Sequence, residues 1–233
     1  MLSATALLLL PALVLAGPVN RRQAPNPEEI QIIETGHSGN GCPQGTVSTL
    51  ISEDRTVVTF GFDAFQAYIG PNTSPADHSK NCQLHLQLQY PGGFQYSILD
   101  ATYHGYARLD EGVTGTFFST YFFSRSAADT SSTRTSISGP EWLEGDIYTK
   151  SDQVENTAVV WSPCGAEGML NINNRIALTS RDREASGALS NDDATVAFTH
   201  QLHVAWRTCD GEDADGGHDD IGLGDVVSNI HRG

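Results

Sequence analysis

The chain has 233 residues, of which 28 are acidic and 13 are lysine or arginine, so its formal net charge at pH 7 is −15. A charge this negative argues against nucleic acid or an anionic membrane surface as a partner, because both require a cationic footprint. The length suits one domain with a sizeable hydrophobic core.

The first 22 residues are predicted to be a signal peptide followed by a short pro-segment. An apolar run over residues 7–16 ends at the small pair Ala16-Gly17, and it is too short for a membrane-spanning helix, which needs about 20 apolar residues. The dibasic pair Arg21-Arg22 follows, and such pairs are cleaved in the secretory pathway. We therefore expect a secreted, extracellular protein, whose charge becomes −17 when these two arginines and no acids are removed.

The clearest structural signal is a period-two alternation of side chains. Residues 23–40 are polar, with one isoleucine-rich patch, and form either a loose N-terminal arm or a first edge strand. Along Cys82–Tyr90, cysteine, leucines and tyrosine share one face while glutamines and His85 share the other. This pattern is typical of a half-buried antiparallel strand. After the turn at 91–93, residues 94–98 are predicted to be its hairpin partner.

Further strand candidates are separated by turns rich in glycine and proline. They are Val57–Phe62, Ala101–Leu109, Gly115–Phe123, Glu144–Thr149, Ala158–Ser162, Asn171–Thr179 and Thr195–Thr208. Residues 124–138 are polar enough to be a long loop or a polar edge strand. About ten strands without a helical repeat predict an all-β fold, a two-sheet antiparallel, jelly-roll-like β-sandwich over residues 41–209. The acidic, glycine-rich residues 210–233 are predicted to be disordered, because they cannot bury enough apolar surface.

Four cysteines are present, and none lies in a C-x-x-C pair: Cys42, Cys82, Cys164 and Cys209. In an oxidising compartment this even number predicts two disulfides, for which three connectivities exist. We favour Cys42–Cys82 and Cys164–Cys209, because each pair closes a loop of about 40 residues. In the chain-entropy account each bridge contributes on the order of 3–4 kcal/mol. The spacing argues against a zinc site or a redox motif.

Several separate motifs resemble one known family. They are Gly41–Ser48, Lys80–Leu84, Tyr90–Tyr96, His104–Ala107, Trp161–Gly165 and Trp206–Cys209. Together these resemble the secreted fungal and bacterial family named domain of unknown function 4360. The resemblance implies a secreted, β-rich domain with these four cysteines and a source like a filamentous fungus, and it brings no catalytic residues.

The residue patterns predict no catalytic site, metal site or cofactor. The eight histidines include no H-E-x-x-H, and His200 and His203 fall on opposite faces of a strand. No G-x-S-x-G signals a serine hydrolase. Paired carboxylates for glycoside hydrolysis meet only in space, and the acids near strand ends resemble ordinary turn and surface residues. These acids are Asp100, Asp110, Glu111, Glu141, Glu144 and Asp146.

Aromatic residues are concentrated between positions 90 and 123, and adjacent pairs must place one ring on each side of a strand. A sandwich core needs such rings, while rings exposed on a sheet can stack on sugars. The predicted ligand-binding rings are Trp142, Tyr103 and Tyr106. Of these, Trp142 is the most suggestive, because it lies in a turn flanked by acids. Trp161 and Trp206, which come just before cysteines, are predicted to lie in the core.

The sequence favours a secreted binding protein without catalytic activity. Its ligand would be a cell-wall glycan or an extracellular protein on a host or competitor surface. The alternatives that stay open are a polysaccharide hydrolase or lyase using loop carboxylates, and a structural wall component. Asn72 heads the chain's one N-x-[ST] sequon, in a turn-rich stretch, and is predicted to be glycosylated.

Overall fold

A computed structural model describes residues 24–165, 168–190 and 198–209. Within these ranges twelve strands form two antiparallel sheets, with only short 3-10 turns between them. The all-β, two-sheet prediction is confirmed, with two strands more than expected. The predicted signal and pro-segment (1–22) and the predicted disordered tail (210–233) lie outside the described residues. No helix in the described ranges is long and apolar enough to span a membrane.

The strands have clear bounds along the chain. They are β1 (Gln31–Ser38), β2 (Val47–Ile51), β3 (Val57–Phe62), β4 (Ala67–Ile69), β5 (Ser79–Gln89), β6 (Phe94–Leu109), β7 (Thr114–Phe123), β8 (Ser131–Ser138), β9 (Asp146–Gln153), β10 (Gly168–Thr179), β11 (Gly187–Ser190) and β12 (Phe198–Thr208). The short 3-10 turns are Pro27–Glu29, Ser124–Ser126, Pro140–Trp142 and Asn156–Ala158.

The two sheets differ in size. The five-stranded sheet has the order β1-β5-β10-β7-β8, and the seven-stranded sheet has the order β2-β3-β12-β6-β11-β4, with β9 paired to β6 beside that path. All pairings are antiparallel. Leu84, Leu86 and Leu88 of β5 point into the core and are at most 1% exposed. The outward glutamines and His85 are partly exposed, so the alternation read from the sequence describes this strand correctly.

The predicted hairpin between residues 82–90 and 94–98 is wrong. β5 pairs with β1 and β10, whereas β6 pairs with β12, β9 and β11, so the two segments belong to different sheets. The turn at 91–93 carries the chain across the core, with Gly93 in the left-handed region at φ 80°. Tyr90 and Tyr96 then meet edge to face across the interior, their ring centroids 5.5 Å apart. Both rings are buried at this crossing.

Two segments that the sequence left open are edge strands. The isoleucine-rich part of residues 23–40 forms β1, at one edge of the five-stranded sheet, and Ile30 just before it is 1% exposed. The polar stretch 124–138 holds β8, at the opposite edge of the same sheet. Both strands carry polar and charged side chains outward, which is the way natural sheets protect an edge against further pairing.

The two disulfides join Cys42 to Cys82 and Cys164 to Cys209, with Cα–Cα distances of 5.5 and 5.8 Å. The first ties the loop after β1 to β5. The second ties the segment before β10 to the residue that follows β12, and so links the ends of both sheets. No free cysteine occurs in the described chain.

Replacing Cys164 and Cys209 together by serine should lower the free energy of unfolding by about 3–4 kcal/mol, because the unfolded chain regains the entropy of an open loop with a sequence separation of 45. Urea unfolding followed by circular dichroism measures this loss. The Cys42→Ser/Cys82→Ser variant, with a separation of 40, is the matched control and should lose a similar amount. A change under about 1 kcal/mol in both variants would contradict the entropic account.

A polar cluster lies inside the sandwich. The Tyr103 hydroxyl donates to Ser119 Oγ at 2.8 Å and lies 2.9 Å from Thr133 Oγ1. The Tyr121 hydroxyl lies 2.8 Å from the same threonine oxygen and 3.3 Å from Nε2 of His200. The His200 ring stacks on Tyr103, with centroids 4.7 Å apart and planes 5° from parallel. Burial raises the pKa of both tyrosines, so the cluster stays uncharged.

Burial lowers the pKa of His200 to about 3 from its usual 6.5. Between these values the unfolded chain binds a proton that the folded chain does not, so the free energy of unfolding should fall as pH decreases from 6.5 toward 3. The slope from this group approaches about 1.4 kcal/mol per pH unit. His200→Phe keeps the ring and removes the titration, and urea unfolding at pH 7, 5.5 and 4.5 should show a shallower loss. Parallel profiles for the two proteins would refute the assignment.

Candidate functional site

The structure buries two of the three rings predicted to bind ligand. Trp142 is 7% exposed and meets Tyr148 edge to face at 6.4 Å, with the Lys150 ammonium 5.8 Å from its ring centre. Tyr103 is 2% exposed and belongs to the polar cluster of the core. Neither ring presents a face to solvent, so the expectation of exposed rings at these positions is wrong. The turn at Trp142 folds inward because packing on Tyr148 removes the indole from water.

The third predicted ring, Tyr106, is half-buried on the outer side of the seven-stranded sheet. It packs closely on Gly145, where an added Cβ would overlap the tyrosine hydroxyl.

Asn72 is exposed in its turn, and the neighbouring Thr73 hydroxyl donates to the Gly70 carbonyl at 2.8 Å. Its glycosylation stays a prediction.

Three of the six acids considered for hydrolysis have separate local partners. Asp100 of β6 is hydrogen-bonded to Nδ1 of His203 on β12. The Asp110 carboxylate accepts from the backbone N–H of Ser186 at 2.7 Å, and that of Asp146 accepts from its own neighbour Ile147 at 2.7 Å. Within the described ranges, no three His, Cys, Asp or Glu side chains group so that they could hold a metal ion.

A groove forms instead around Trp161, between the segment after β7 and the segment before β10. It consists of two neighbouring cavities of about 500 and 430 Å³, and both are lined by Ser126 and Trp161. We call the two together the Trp161 groove. The remaining lining residues are Ala128, Asp129, Thr130, Thr157, Ala158, Val159 and Val160 in the larger cavity, and Gln95, Arg125, Ser162, Pro163, Cys164 and Arg207 in the smaller one.

The indole of Trp161 is held in place by an arginine. The guanidinium carbon of Arg207 lies 4.0 Å from the centre of the ring, a close cation–π contact. With its amide oxygen turned toward this arginine, Gln95 accepts from Nε and Nη2 at 3.0 Å each, and its amide nitrogen donates to the Ser162 carbonyl at 3.1 Å. Gln95 is only 3% exposed. A buried amide therefore fixes the arginine, and the arginine fixes the ring.

The floor of the groove is also rigid. Ser162 Oγ accepts from the backbone N–H of Tyr96 at 2.9 Å, and the Tyr90 hydroxyl donates to the Pro163 carbonyl at 2.7 Å. Burial raises the pKa of Tyr90, opposed by its hydrogen bonding to Ser162 and by the charge of Arg125. Cys164, next in the chain, is tied to Cys209. These contacts preorganise the wall that carries Trp161, which is what a binding site requires.

The groove carries an excess of positive charge in a strongly acidic chain. Arg125 is exposed at its rim and Arg207 is partly exposed on its wall, whereas Asp129 supplies the one carboxylate among the described lining residues. Neither arginine has a described carboxylate within 4 Å. Their N–H groups that do not contact protein are free to donate to the hydroxyl or carboxylate oxygens of a ligand.

Trp161 is the residue that the sequence analysis misplaced. The prediction placed it in the core, on a strand over residues 158–162. That segment forms no strand, bonds to β6 only through the Ser162 N–H and the Tyr96 carbonyl at 2.8 Å among the backbone pairs described, and runs beside the groove. The signal available in the sequence was Pro163, which directly follows this segment and has no backbone N–H to donate to a strand ladder. Trp206 does pack against the core, partly buried, as predicted.

Comparison with known proteins identifies the family of the chain. The family described as "Domain of unknown function (DUF4360)" matches residues 28–209. The chain belongs to this family. An "Uncharacterized secreted protein" from the fungus Arthroderma benhamiae is 46% identical over 186 residues, which cover 80% of this chain and 74% of that relative. The expected secretion is confirmed by this relative.

Two solved structures show distant likeness. TmCBM61 in complex with beta-1,4-galactotriose is 12% identical, with 81% of this chain and 99% of that chain covered at a TM-score of 0.22. The enzymatically active domain of tailspike protein 4 from bacteriophage CBA120 is 13% identical, with 79% and 20% covered at a TM-score of 0.23. At TM-scores this low, neither likeness supports an argument about this DUF4360 chain.

Truncating the two tryptophans should destabilise the protein to different degrees. Trp142→Ala should lower the free energy of unfolding by about 3–5 kcal/mol, because it leaves a cavity beside Tyr148. Trp161→Ala, at a partly exposed position, should lower it by about 1 kcal/mol. Urea unfolding of both variants measures the difference, and equal losses would show that Trp161 is a core residue.

Proposed function

We propose that this DUF4360 protein is an extracellular glycan-binding protein and that the Trp161 groove holds the sugar. The observation that carries the proposal is the Trp161 ring itself, partly exposed between two cavities and braced by Arg207 at 4.0 Å. An immobilised aromatic ring beside a few fixed polar groups is the usual composition of a small-ligand site.

The chemistry of the lining suits a sugar. A pyranose has one apolar face, which packs on an aromatic ring, and a rim of hydroxyls that need hydrogen-bond partners. Arg207 and Arg125 supply donors, and Ser126 supplies a hydroxyl that both donates and accepts. The ring, fixed by Arg207 and Gln95, loses little conformational entropy when a ligand binds.

Binding is favoured over hydrolysis by the same lining. Glycoside hydrolysis in most families uses two carboxylates about 5–9.5 Å apart across the scissile bond. Asp129 is the single carboxylate among the lining residues that the structure describes. One acid could position a sugar but could not supply both an acid and a base or nucleophile.

The test is retention of the secreted protein on insoluble chitin, β-glucan and cellulose. Trp161→Ala should lower the affinity for the retaining polymer about tenfold, since stacking contributes up to about 1.5 kcal/mol. Trp161→Phe should keep part of the affinity, because it keeps a ring. Tyr68→Ala, which truncates a ring that is 39% exposed on β4, is the matched control and should bind like the unchanged protein.

Three outcomes would contradict the proposal. One is that none of the polymers retains the unchanged protein. Another is that Trp161→Ala is retained as well as the control variant. Release of reducing sugar from a polymer, lost on substitution of Asp129, would favour the hydrolase alternative instead.

A further inference from the structure

The outer side of the five-stranded sheet has an unusual charge distribution for so acidic a protein. β5, β7, β8 and β10 contain no aspartate or glutamate, although the whole chain has 28 acids. Glu34 of β1 is the one acid in the five strands. The outward positions of β7, β8 and β10 hold two arginines, Arg134 and Arg175, and both are exposed. The sheet therefore presents a locally cationic face.

The two arginines flank an exposed aromatic ring. Phe118 of β7 is 39% exposed, and its register partners are Arg175 on β10 and Arg134 on β8. Two strand spacings place the Cα atoms of the arginines about 10 Å apart, one on each side of the ring. We call this row of three residues the Arg–Phe–Arg row. Phe118 alternates with the buried Phe117, so the strand itself holds its ring outward.

The charges of the row are available to a ligand. Arg175 Nε donates to Ser79 Oγ at 3.0 Å, which orients its guanidinium along the face. The Asp152 carboxylate accepts from the backbone N–H of Arg134, at the edge toward β9. Among the described residues, no carboxylate lies within 4 Å of either guanidinium and no cation covers the Phe118 ring.

Neutral hydrogen-bonding groups continue the face beside the row. Asn173 of β10 is paired in register with Thr120 on one side and Gln83 on the other. In the next row, Nδ1 of His85 lies 2.7 Å from Oδ1 of Asn171. Amides and hydroxyls both donate and accept, so they suit the hydroxyls of a polysaccharide chain lying across the strands.

We propose that this face binds an acidic polysaccharide, with uronate carboxylates on Arg134 and Arg175 and a sugar ring stacked on Phe118. A neutral glycan would leave both guanidiniums without counter-ions. A nucleic acid carries a denser charge and needs several phosphate contacts, which two arginines in a chain of net charge −15 do not supply. At physiological salt the repulsion between an acidic ligand and carboxylates more than about 8 Å away is screened. The charges near the row therefore determine whether such a ligand binds.

This inference does not depend on the Trp161 groove, because it uses different residues on a different surface. The probes are soluble polygalacturonate and its fully methyl-esterified form, which keeps the backbone and loses the carboxylates. Affinity electrophoresis of the full secreted protein at 150 mM NaCl measures its affinity for each of the two polymers. We expect binding to polygalacturonate and at least tenfold weaker binding to the ester.

The variant Arg134→Gln/Arg175→Gln should lower the affinity for polygalacturonate about tenfold to a hundredfold, because each guanidinium makes a charge-assisted hydrogen bond. Phe118→Ser should also lower it and leaves the charge unchanged. The matched control is Arg108→Gln/Arg181→Gln, which removes two exposed arginines elsewhere and should bind normally. Thermal unfolding checks that each variant is folded.

Each other outcome overturns the inference in a distinct way. Equal binding of acid and ester would show that the carboxylates are not recognised. An equal loss in the control variant would show dependence on net charge alone. Single-stranded DNA bound as tightly as polygalacturonate would show that the face recognises negative charge in general and not a uronate. A loss confined to Trp161→Ala would place the acidic glycan in the groove, which would overturn this inference and leave the proposed function intact.

Discussion

The period-two alternation of side chains along β5, β7 and β10 is the constraint on which the rest of the structure depends. It places Leu84, Phe117 and Ile172 between the sheets, each at most 1% exposed, and it places their sequence neighbours outside. A shift of one residue in any of these strands would exchange the two sets. The same alternation thus builds the hydrophobic core and leaves Phe118 on the outer face.

The core is not purely apolar, and this limits how the two sheets can pack. The cluster around Tyr103, Tyr121 and His200 joins strands of both sheets by hydrogen bonds and ring stacking. An unpaired buried polar group costs about 1–3 kcal/mol, so the hydrogen bonds of the cluster depend on the two sheets being correctly placed, although Nδ1 of His200 is left without a partner. The cluster therefore favours one arrangement of the sheets over shifted ones, and it makes the fold sensitive to protonation of His200.

The two proposed surfaces have different origins. The Arg–Phe–Arg row stands on regular strands, so ladder pairing sets its spacing. The Trp161 groove is made by segments outside the ladders, which the buried Gln95 and the Cys164–Cys209 disulfide hold in place. A binding protein with both would use a flat face for an extended chain and a groove for a single sugar, without movement of either sheet.

The sequence by itself determined the fold class and the faces of individual strands, because alternation is a local property. It favoured the cysteine pairing that the structure shows and the secretion that the fungal relative supports. Only the tertiary structure decided which strands share a sheet, as the wrong hairpin between β5 and β6 shows. It also decided exposure: Trp142 and Trp161 each lie in short irregular segments, yet one is buried and the other lines a groove. Exposure depends on which residue packs on a ring: Tyr148 on the next strand covers Trp142, whereas Arg207, far along the chain, contacts Trp161. No pattern along the chain encodes such a neighbour.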